Sequence, residues 1–291
     1  MNLLITGAWQ QASEYIEPIQ QMGHSIQFLQ LEKDELPCHP EWVEGVVCNG
    51  LFLHHPIECF TNLRYIQLTS VGFDRVPMDY VKAHNIVIHN ARGVYSIPMA
   101  EFALAGVLSL YKGIGRFRDQ QKEHQWEKNR NLRELFGQTV LIVGCGSVGT
   151  ECAKRFSALG CKVIGVDTTV REDSAYSEIV PLSRLNEKLP KTDVVVLTLP
   201  LTRDTRGLID QKKLALIHGV LVNIARGEII DQTALEAWDG EAVIDVFEDE
   251  PLPNDSPLWE KEGFIVTPHN SFIGKGNNKR INQLVLNNLM D

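Results

Sequence analysis

Three residues in the last third of the chain are of types that can clamp a carboxylate and exchange a hydroxyl proton. They are Arg226 in "NIARG", Glu250 in "VFEDEP" and His269 in "TPHN". A guanidinium fork matches two carboxylate oxygens at once and polarises a neighbouring carbonyl. An imidazole exchanges a hydroxyl proton near neutral pH, and a carboxylate beside it favours the imidazolium. Singly, each residue has an ordinary reading. Arg226 fits a structural ion pair, Glu250 a solvated acidic run with Glu248 and Asp249, and His269 a hydrogen-bonded histidine at a strand end. Each, however, follows an apolar run, "GVLVNIA", "AVIDVF" or "GFIVTPH". Ligands of an open parallel sheet bind beyond the carboxyl ends of its strands. Taken together, the three form a candidate catalytic set.

A second constellation lies upstream, in "TVLIVGCGSVG". Gly144, Gly146 and Gly149 have the G-x-G-x-x-G spacing of a turn that cradles a dinucleotide pyrophosphate. Gly144 permits the turn, Gly146 lets the backbone approach the phosphates, and Gly149 lets helix and strand pack closely. The N–H groups of Ser147 and Val148, at the helix start, face the phosphate charge. The motif alone is weak, and an ordinary glycine-rich turn with Asp167 as a solvated strand end is the alternative. Its setting favours the functional reading: strand "TVLIV", helix "SVGTECAKRFSALG", then strand "KVIGVD" ending in Asp167, eighteen residues after Gly149. A carboxylate there accepts hydrogen bonds from ribose hydroxyls and repels a 2′-phosphate. Thr168 and Thr169 are neutral and Arg171 reads as a solvated loop residue, so NAD is expected rather than NADP.

These groups need a scaffold, and short apolar runs alternate with helical stretches along the whole chain. The first set is "NLLIT", "HSIQFLQL", "VEGVVC", "LRYIQLT" and "NIVIHN". The second is "TVLIVG", "KVIGVD", "DVVVLTLP", "GVLVNIA", "AVIDVF" and "GFIVTPH". "DVVVLTL" does not alternate, as expected of a strand buried on both faces. The fingerprint comes almost halfway along because a separate five-stranded α/β domain precedes it. The expected fold is therefore α/β with two doubly wound parallel-sheet domains. Between them "SIPMAEFALAGVLSLYK", Ser96 to Lys112, reads as a deeply buried helix, with Ser96 as N-cap. The polar "RDQQKEHQWEKNRN" after it is solvated or lies at a subunit contact. The boundaries are 1–95 for the first domain and 96–270 for the dinucleotide domain.

Composition bounds the function. A chain of 291 residues suggests about two domains. A net charge of −9 argues against a broad basic face for nucleic acid or anionic lipid. The longest apolar run is too short to span a bilayer, and "MNLLITGAW" lacks signal-peptide features. The six cysteines have no C-x-x-C pair, and His54-His55 has no partner at metal-ligating spacing. A cytoplasmic protein with reduced thiols and no metal site is expected.

"VGCGSVG", "LPLTRDTRGLI", "NIARGEIID", "VFEDEPLP" and "TPHN", in this order, resemble the signatures of the D-isomer-specific 2-hydroxyacid dehydrogenases, the phosphoglycerate dehydrogenase-like enzymes. The likeness runs from "LTSVGFDRVP" through "IPMAEFALA" to "TPH". It implies a flavodoxin-like substrate domain, a Rossmann NAD-binding domain, and hydride transfer between NAD(H) and a small D-2-hydroxy acid or 2-oxo acid. It implies Arg226 on the substrate carboxylate and carbonyl, His269 as acid/base and Glu250 as its partner. It also implies Asp245 on the nicotinamide carboxamide, Pro200 and Ala225 along the cofactor cleft, and the backbone of Val71 and Gly72 on the substrate carboxylate. Residues 271–291 should return to the first domain, and the enzyme should be a homodimer. A phosphoglycerate or hydroxypyruvate/glyoxylate reductase-type enzyme is the neighbouring reading, and a non-catalytic NAD-sensing protein the one from another class. Two stretches depart from the pattern, "NSF" after His269 and "CNGLF" after Val47. The segment between Arg226 and Glu250 is also short, which implies a trimmed helix.

Overall fold

The computed structural model describes residues 1–290. The chain divides into two compact units, Met1–Tyr95 with Gly274–Asp291, and Ser96–Ile273. The first holds a five-stranded sheet of β1 (Asn2–Thr6), β2 (Ser25–Leu29), β3 (Gly45–Cys48), β4 (Tyr65–Leu68) and β5 (Val87–His89), in the order β2-β1-β3-β4-β5. All its pairings are parallel. The helix Asn277–Met290 belongs to this unit and buries Ile281, Val285 and Leu289, four residues apart on one face. Polar pins fix its register: Trp9 Nε1 donates to Asn282 Oδ1 at 2.6 Å, and Asn288 Nδ2 donates to Gln67 Oε1 at 2.7 Å.

The second unit holds seven parallel strands: β6 (Thr139–Val143), β7 (Lys162–Asp167), β8 (Glu178–Pro181), β9 (Val194–Leu197), β10 (Val220–Asn223), β11 (Glu241–Ile244) and β12 (Phe264–Val266). Their order is β12-β11-β10-β9-β6-β7-β8, so the winding reverses between β6 and β9. Every residue of β9 and β10 is buried. Successive side chains of a strand point to opposite faces. Val140, Ile142, Val194 and Val196 thus fall in one core cluster, and Leu141, Val143, Val195 and Leu197 in the other. The continuous apolar runs mark a sheet covered on both sides.

Three differences from the sequence reading stand out. The strand β8, "EIVP", was not expected; it has only two buried residues and owes its form to pairing with β7. The helix Ser96–Tyr111 is buried on one face only, with Ile97, Glu101 and Ala105 exposed. Its buried face comes close to the sheet at Gly106, where a Cβ would stand 2.7 Å from Val243 Cγ1. The second unit also runs on to Ile273, past residue 270, because the residues just after His269 are tied to β11 as described next.

Candidate active site

Because the strands of the second unit are parallel, the residues following β6, β10, β11 and β12 emerge along one edge. The geometry brings His269 and Glu250 together: His269 Nδ1 lies 2.7 Å from Glu250 Oε2. The other oxygen, Oε1, accepts the Phe247 N–H at 3.0 Å, so the carboxylate is held from two sides. His269 has a left-handed backbone, φ 50°, uncommon without glycine. The turn around it explains how this conformation is kept. The His269 N–H donates to the Asp245 carbonyl at 2.8 Å. The Asp245 carboxylate accepts from Thr267 Oγ1 at 2.7 Å, Asn270 N–H at 2.8 Å and Ser271 N–H at 2.9 Å. Phe272 then sets its ring edge-on to the imidazole, with centroids 5.7 Å apart.

Asp245, which the resemblance puts on the nicotinamide carboxamide, is engaged within the protein. It is 0% exposed, and both carboxylate oxygens are engaged by the turn that carries His269. A buried carboxylate needs such donors, since an uncompensated charge there is costly. It braces the site from beneath.

Arg226 is positioned by the end of β10. Fully buried Asn223 donates from Nδ2 to the Arg226 carbonyl at 3.0 Å and accepts the Ala225 N–H at 3.1 Å. This small turn leaves Arg226 extended, and its Nη1 donates to the Ala225 carbonyl at 2.7 Å. The next residue, Gly227, touches the backbone of the loop bearing Glu250: a Cβ there would lie 1.9 Å from the Phe247 carbonyl carbon. Only glycine permits that approach.

The glycine loop opens at the point where the winding reverses. Gly144 has φ 98°, and Thr198 Oγ1, just after β9, donates to its carbonyl at 2.6 Å. The helix Ser147–Ala158 follows, with Gly146 at its N-cap and no side-chain cap. Among the described residues, the N–H groups of Ser147 and Val148 have no acceptor. The glycines differ in what constrains them. A Cβ on Gly149 would stand 2.1 Å from the Gly144 carbonyl oxygen, whereas one on Gly146 meets nothing within 4 Å. The protein itself would tolerate a side chain at 146; a ligand backbone lying against the loop would not. This cradle fits a dinucleotide pyrophosphate.

A paired substitution tests that distinction. Gly149→Ala should destabilise the unit by about 1–3 kcal/mol, through overpacking of backbone against backbone. Gly146→Ala should lower stability by under about 1 kcal/mol, the small N-cap preference, yet weaken NADH binding roughly tenfold or more. Thermal melts and NADH titrations of both variants check it. A Gly146→Ala protein that binds NADH normally would remove the loop as the phosphate site.

At the end of β7, the Asp167 carboxylate is engaged by the protein itself. Its Oδ2 accepts the Cys145 N–H at 2.7 Å, and its Oδ1 accepts from the Thr168 hydroxyl at 3.2 Å and the Thr169 N–H at 3.1 Å. Burial pushes this carboxyl up, but the N–H groups of Thr169 and Cys145 and the Thr168 hydroxyl outweigh it and hold it below the usual carboxylate range. Arg171 is not merely solvated. It reaches back to donate to the Cys145 carbonyl, so a cation and a carboxylate hold the two successive peptides that flank Cys145. Cys145 itself faces the core; burial raises its thiol to about 11.

Pro200 is exposed just beyond β9, and its carbonyl accepts the Thr205 hydroxyl at 2.7 Å. Ala225 is buried, with its carbonyl turned to Arg226. In the first unit, Val71 and Gly72 follow β4. The Val71 carbonyl accepts from Asn90 Nδ2 at 2.6 Å and the Gly72 carbonyl from Ser70 Oγ at 3.2 Å. Among the described residues, the N–H groups of Val71 and Gly72 make no hydrogen bond.

Comparison with known proteins is decisive at this point. The family described as D-isomer specific 2-hydroxyacid dehydrogenase, NAD binding domain, matches residues 104–271. The chain belongs to this family. The dehydrogenase is 34% identical over 239 residues to an (S)-sulfolactate dehydrogenase of Chromohalobacter salexigens, covering 79% of this chain and 77% of that one. It is 30% identical over 286 residues to a glyoxylate reductase of Korarchaeum cryptofilum, covering 90% and 85%. A crystal structure of a family protein from Aeromonas salmonicida superposes with a TM-score of 0.82 at 28% identity, covering 98% and 93%. The dehydrogenase is thus an oxidoreductase that exchanges a hydride between NAD(H) and a 2-hydroxy or 2-oxo acid.

Sequence reasoning missed Asn223, Thr198, Thr267 and the reach of Arg171. A weak signal existed for two of them: "VLVN" and "VVVLT" end buried strands in a polar residue, where a hydrogen bond to a turn is the usual reason.

Proposed function

We propose that His269 is the acid/base of this dehydrogenase, that Glu250 orients it and stabilises its charged form, and that Arg226 clamps the carboxylate and carbonyl of a small 2-oxo acid. One observation carries the reading: the 2.7 Å contact between His269 Nδ1 and Glu250 Oε2. With its proton shared to Glu250, Nδ1 is committed, and Nε2 is left as the ring atom for exchange. Bound nicotinamide supplies the hydride. The chain's own groups do the rest. Arg226 holds the carboxylate and draws electron density toward the carbonyl oxygen, so C2 accepts the hydride. His269 Nε2 gives its proton to that oxygen as the alkoxide forms, and the product is the 2-hydroxy acid. In oxidation the same nitrogen takes the hydroxyl proton. The uncommitted N–H groups of Val71 and Gly72 support a role in receiving the carboxylate. Assaying glyoxylate, hydroxypyruvate, phosphohydroxypyruvate and pyruvate with NADH and NADPH tests the reading. Turnover of at least one is expected; tight NADH binding with none turned over would favour the NAD-sensing alternative.

Cofactor preference follows from Asp167 and Arg171. Asp167 favours a ribose 2′-hydroxyl, while Arg171 is a cation close enough to offset part of its repulsion of a 2′-phosphate. NADH should be preferred, Asp167→Ala should narrow the preference, and Arg171→Ala should widen it. Preference for NADPH in the wild type would overturn the assignment of Asp167.

A homodimer fits the exposed surface of the second unit. The outer face of the helix Ser96–Tyr111 carries exposed Ile97 and half-buried Leu104 and Leu108, and Trp126 is 94% exposed. Such an apolar surface is the kind that subunits cover. Light scattering should give twice the 32.8 kDa of one chain, and a monomer at assay concentration would refute it. No single helix among the described residues is long and apolar enough to cross a membrane. Buried, unpaired Cys48, Cys145, Cys152 and Cys161 fit a reducing compartment such as the cytoplasm.

A further inference from the structure

Strand β10 ends in a residue whose type does not match its surroundings. Asn223 pairs in register with Leu197 of β9 and Ile244 of β11, and both lie in the buried apolar cluster that also holds Leu221. Alternate residues of a strand point to one face, so Asn223 shares the face of Leu221. Its amide therefore stands in an apolar layer, at 0% exposure. A leucine of similar volume would continue that layer, whereas a buried amide is costly unless hydrogen bonds compensate it. Both of its bonds go to one short turn. Oδ1 accepts the Ala225 N–H at 3.1 Å, and Nδ2 donates to the Arg226 carbonyl at 3.0 Å. The anchor itself is fixed: β10 is paired on both sides, and the Asn223 carbonyl accepts the Asp245 N–H at 3.0 Å. Beyond Arg226 the chain enters Gly227, which lies too close to the Phe247 backbone for any side chain. The Arg226 carbonyl also accepts the Ile229 N–H, at 3.4 Å, so the amide makes the shorter of its two bonds. The main chain of Arg226 is thus held between a buried amide on one side and a backbone contact on the other.

We infer that Asn223 is a positioning residue for the reaction, setting the direction in which the Arg226 guanidinium meets the substrate. Being fully buried, it acts through Arg226 and not on the substrate itself. The inference rests on the proposed role of Arg226 and goes beyond it. A bidentate fork is directional, so a small rotation of its backbone costs more than it would for a point charge. The position also requires an amide. A carboxylate accepts the Ala225 N–H but has no hydrogen for the Arg226 carbonyl. A serine hydroxyl, one atom shorter, serves the Ala225 N–H alone, and alanine serves neither.

The test is a double-mutant cycle on the whole enzyme, with glyoxylate as substrate and oxamate as an unreactive analogue bound to the NADH-loaded enzyme. Asn223→Ser should lower kcat/KM for glyoxylate roughly tenfold, because the clamp is misplaced while its charge is kept. Oxamate binding should weaken by a similar factor, and NADH affinity should stay near wild type. Asn223→Asp should cost more, since it turns a buried charge toward the Arg226 carbonyl. Should that variant fail to fold, the Ser variant carries the measurement. Arg226→Lys already lacks the fork, so adding Asn223→Ser to it should cost less than about twofold more, where independent effects would multiply. Thermal melts accompany each variant. An asparagine needed only for the fold would lower the melting temperature in Asn223→Ser while glyoxylate kinetics and oxamate binding stayed at wild type. That result, or effects that multiply in the double variant, would overturn the inference. An Arg226→Lys enzyme with normal kinetics and normal oxamate binding would instead strike the proposed function, and the inference with it.

Discussion

Replacing His269 with Ala should lower the rate of the chemical step by roughly two to four orders of magnitude, the usual worth of a positioned acid/base. The loss has a local origin. In the proposed mechanism Nε2 exchanges the proton, and among the described residues no other is held against Glu250 by the turn that Asp245 braces. NADH affinity should hardly change, because the glycine loop follows β6 while His269 follows β12, at the far edge of the sheet. Single-turnover reduction and an NADH titration on the same variant separate the two readouts. Glu250→Gln should fall between wild type and His269→Ala, since the amide still accepts a hydrogen bond but no longer stabilises the imidazolium. Near-normal turnover in His269→Ala would mean the proton comes from elsewhere, and the assignment would fail.

Replacing Arg226 with Lys should be nearly as damaging, although the charge is kept. A guanidinium offers two parallel N–H donors in a fixed plane, and an ammonium is a point charge on a flexible stem. Loss of the bidentate contact should reduce kcat/KM roughly a hundredfold, about 2.7 kcal/mol of transition-state stabilisation. The contact of Nη1 with the Ala225 carbonyl also depends on arginine's geometry. A structural arginine would behave otherwise. The Lys variant would then melt lower while its kinetics stayed near wild type, and that outcome would remove Arg226 from the catalytic set.

The local code of this chain was enough for most of its elements and for the choice of candidate reacting groups. Runs such as "TVLIV" and "VVVL" are β-branched and apolar without alternation, and a strand covered on both faces is the one element in which every such residue is buried. The glycine fingerprint is readable for the same reason: its requirements are backbone requirements, met within six residues. Asp167, Arg226, Glu250 and His269 could be named because each ends a strand or lies in the loop just after one, and parallel strands end on one side.

What only the tertiary structure decided depends on partners far away in sequence. β8 has too little apolar pattern to announce itself, and its hydrogen bonds to β7 make it a strand. The one-sided burial of the helix Ser96–Tyr111 is set by what packs against it, while its composition is apolar nearly all round. Arg171 reaches the Cys145 carbonyl, 26 residues away, because the loop after β7 folds back on the glycine turn. Asp245 is the clearest case. A strand-end carboxylate reads the same whether it faces a ligand or the protein, and the choice was made by the three donors of the turn at 267–271, which enclose it. Periodicity and motif spacing record the bonds a segment makes with itself; burial and long-range hydrogen bonds exist only once distant segments have met.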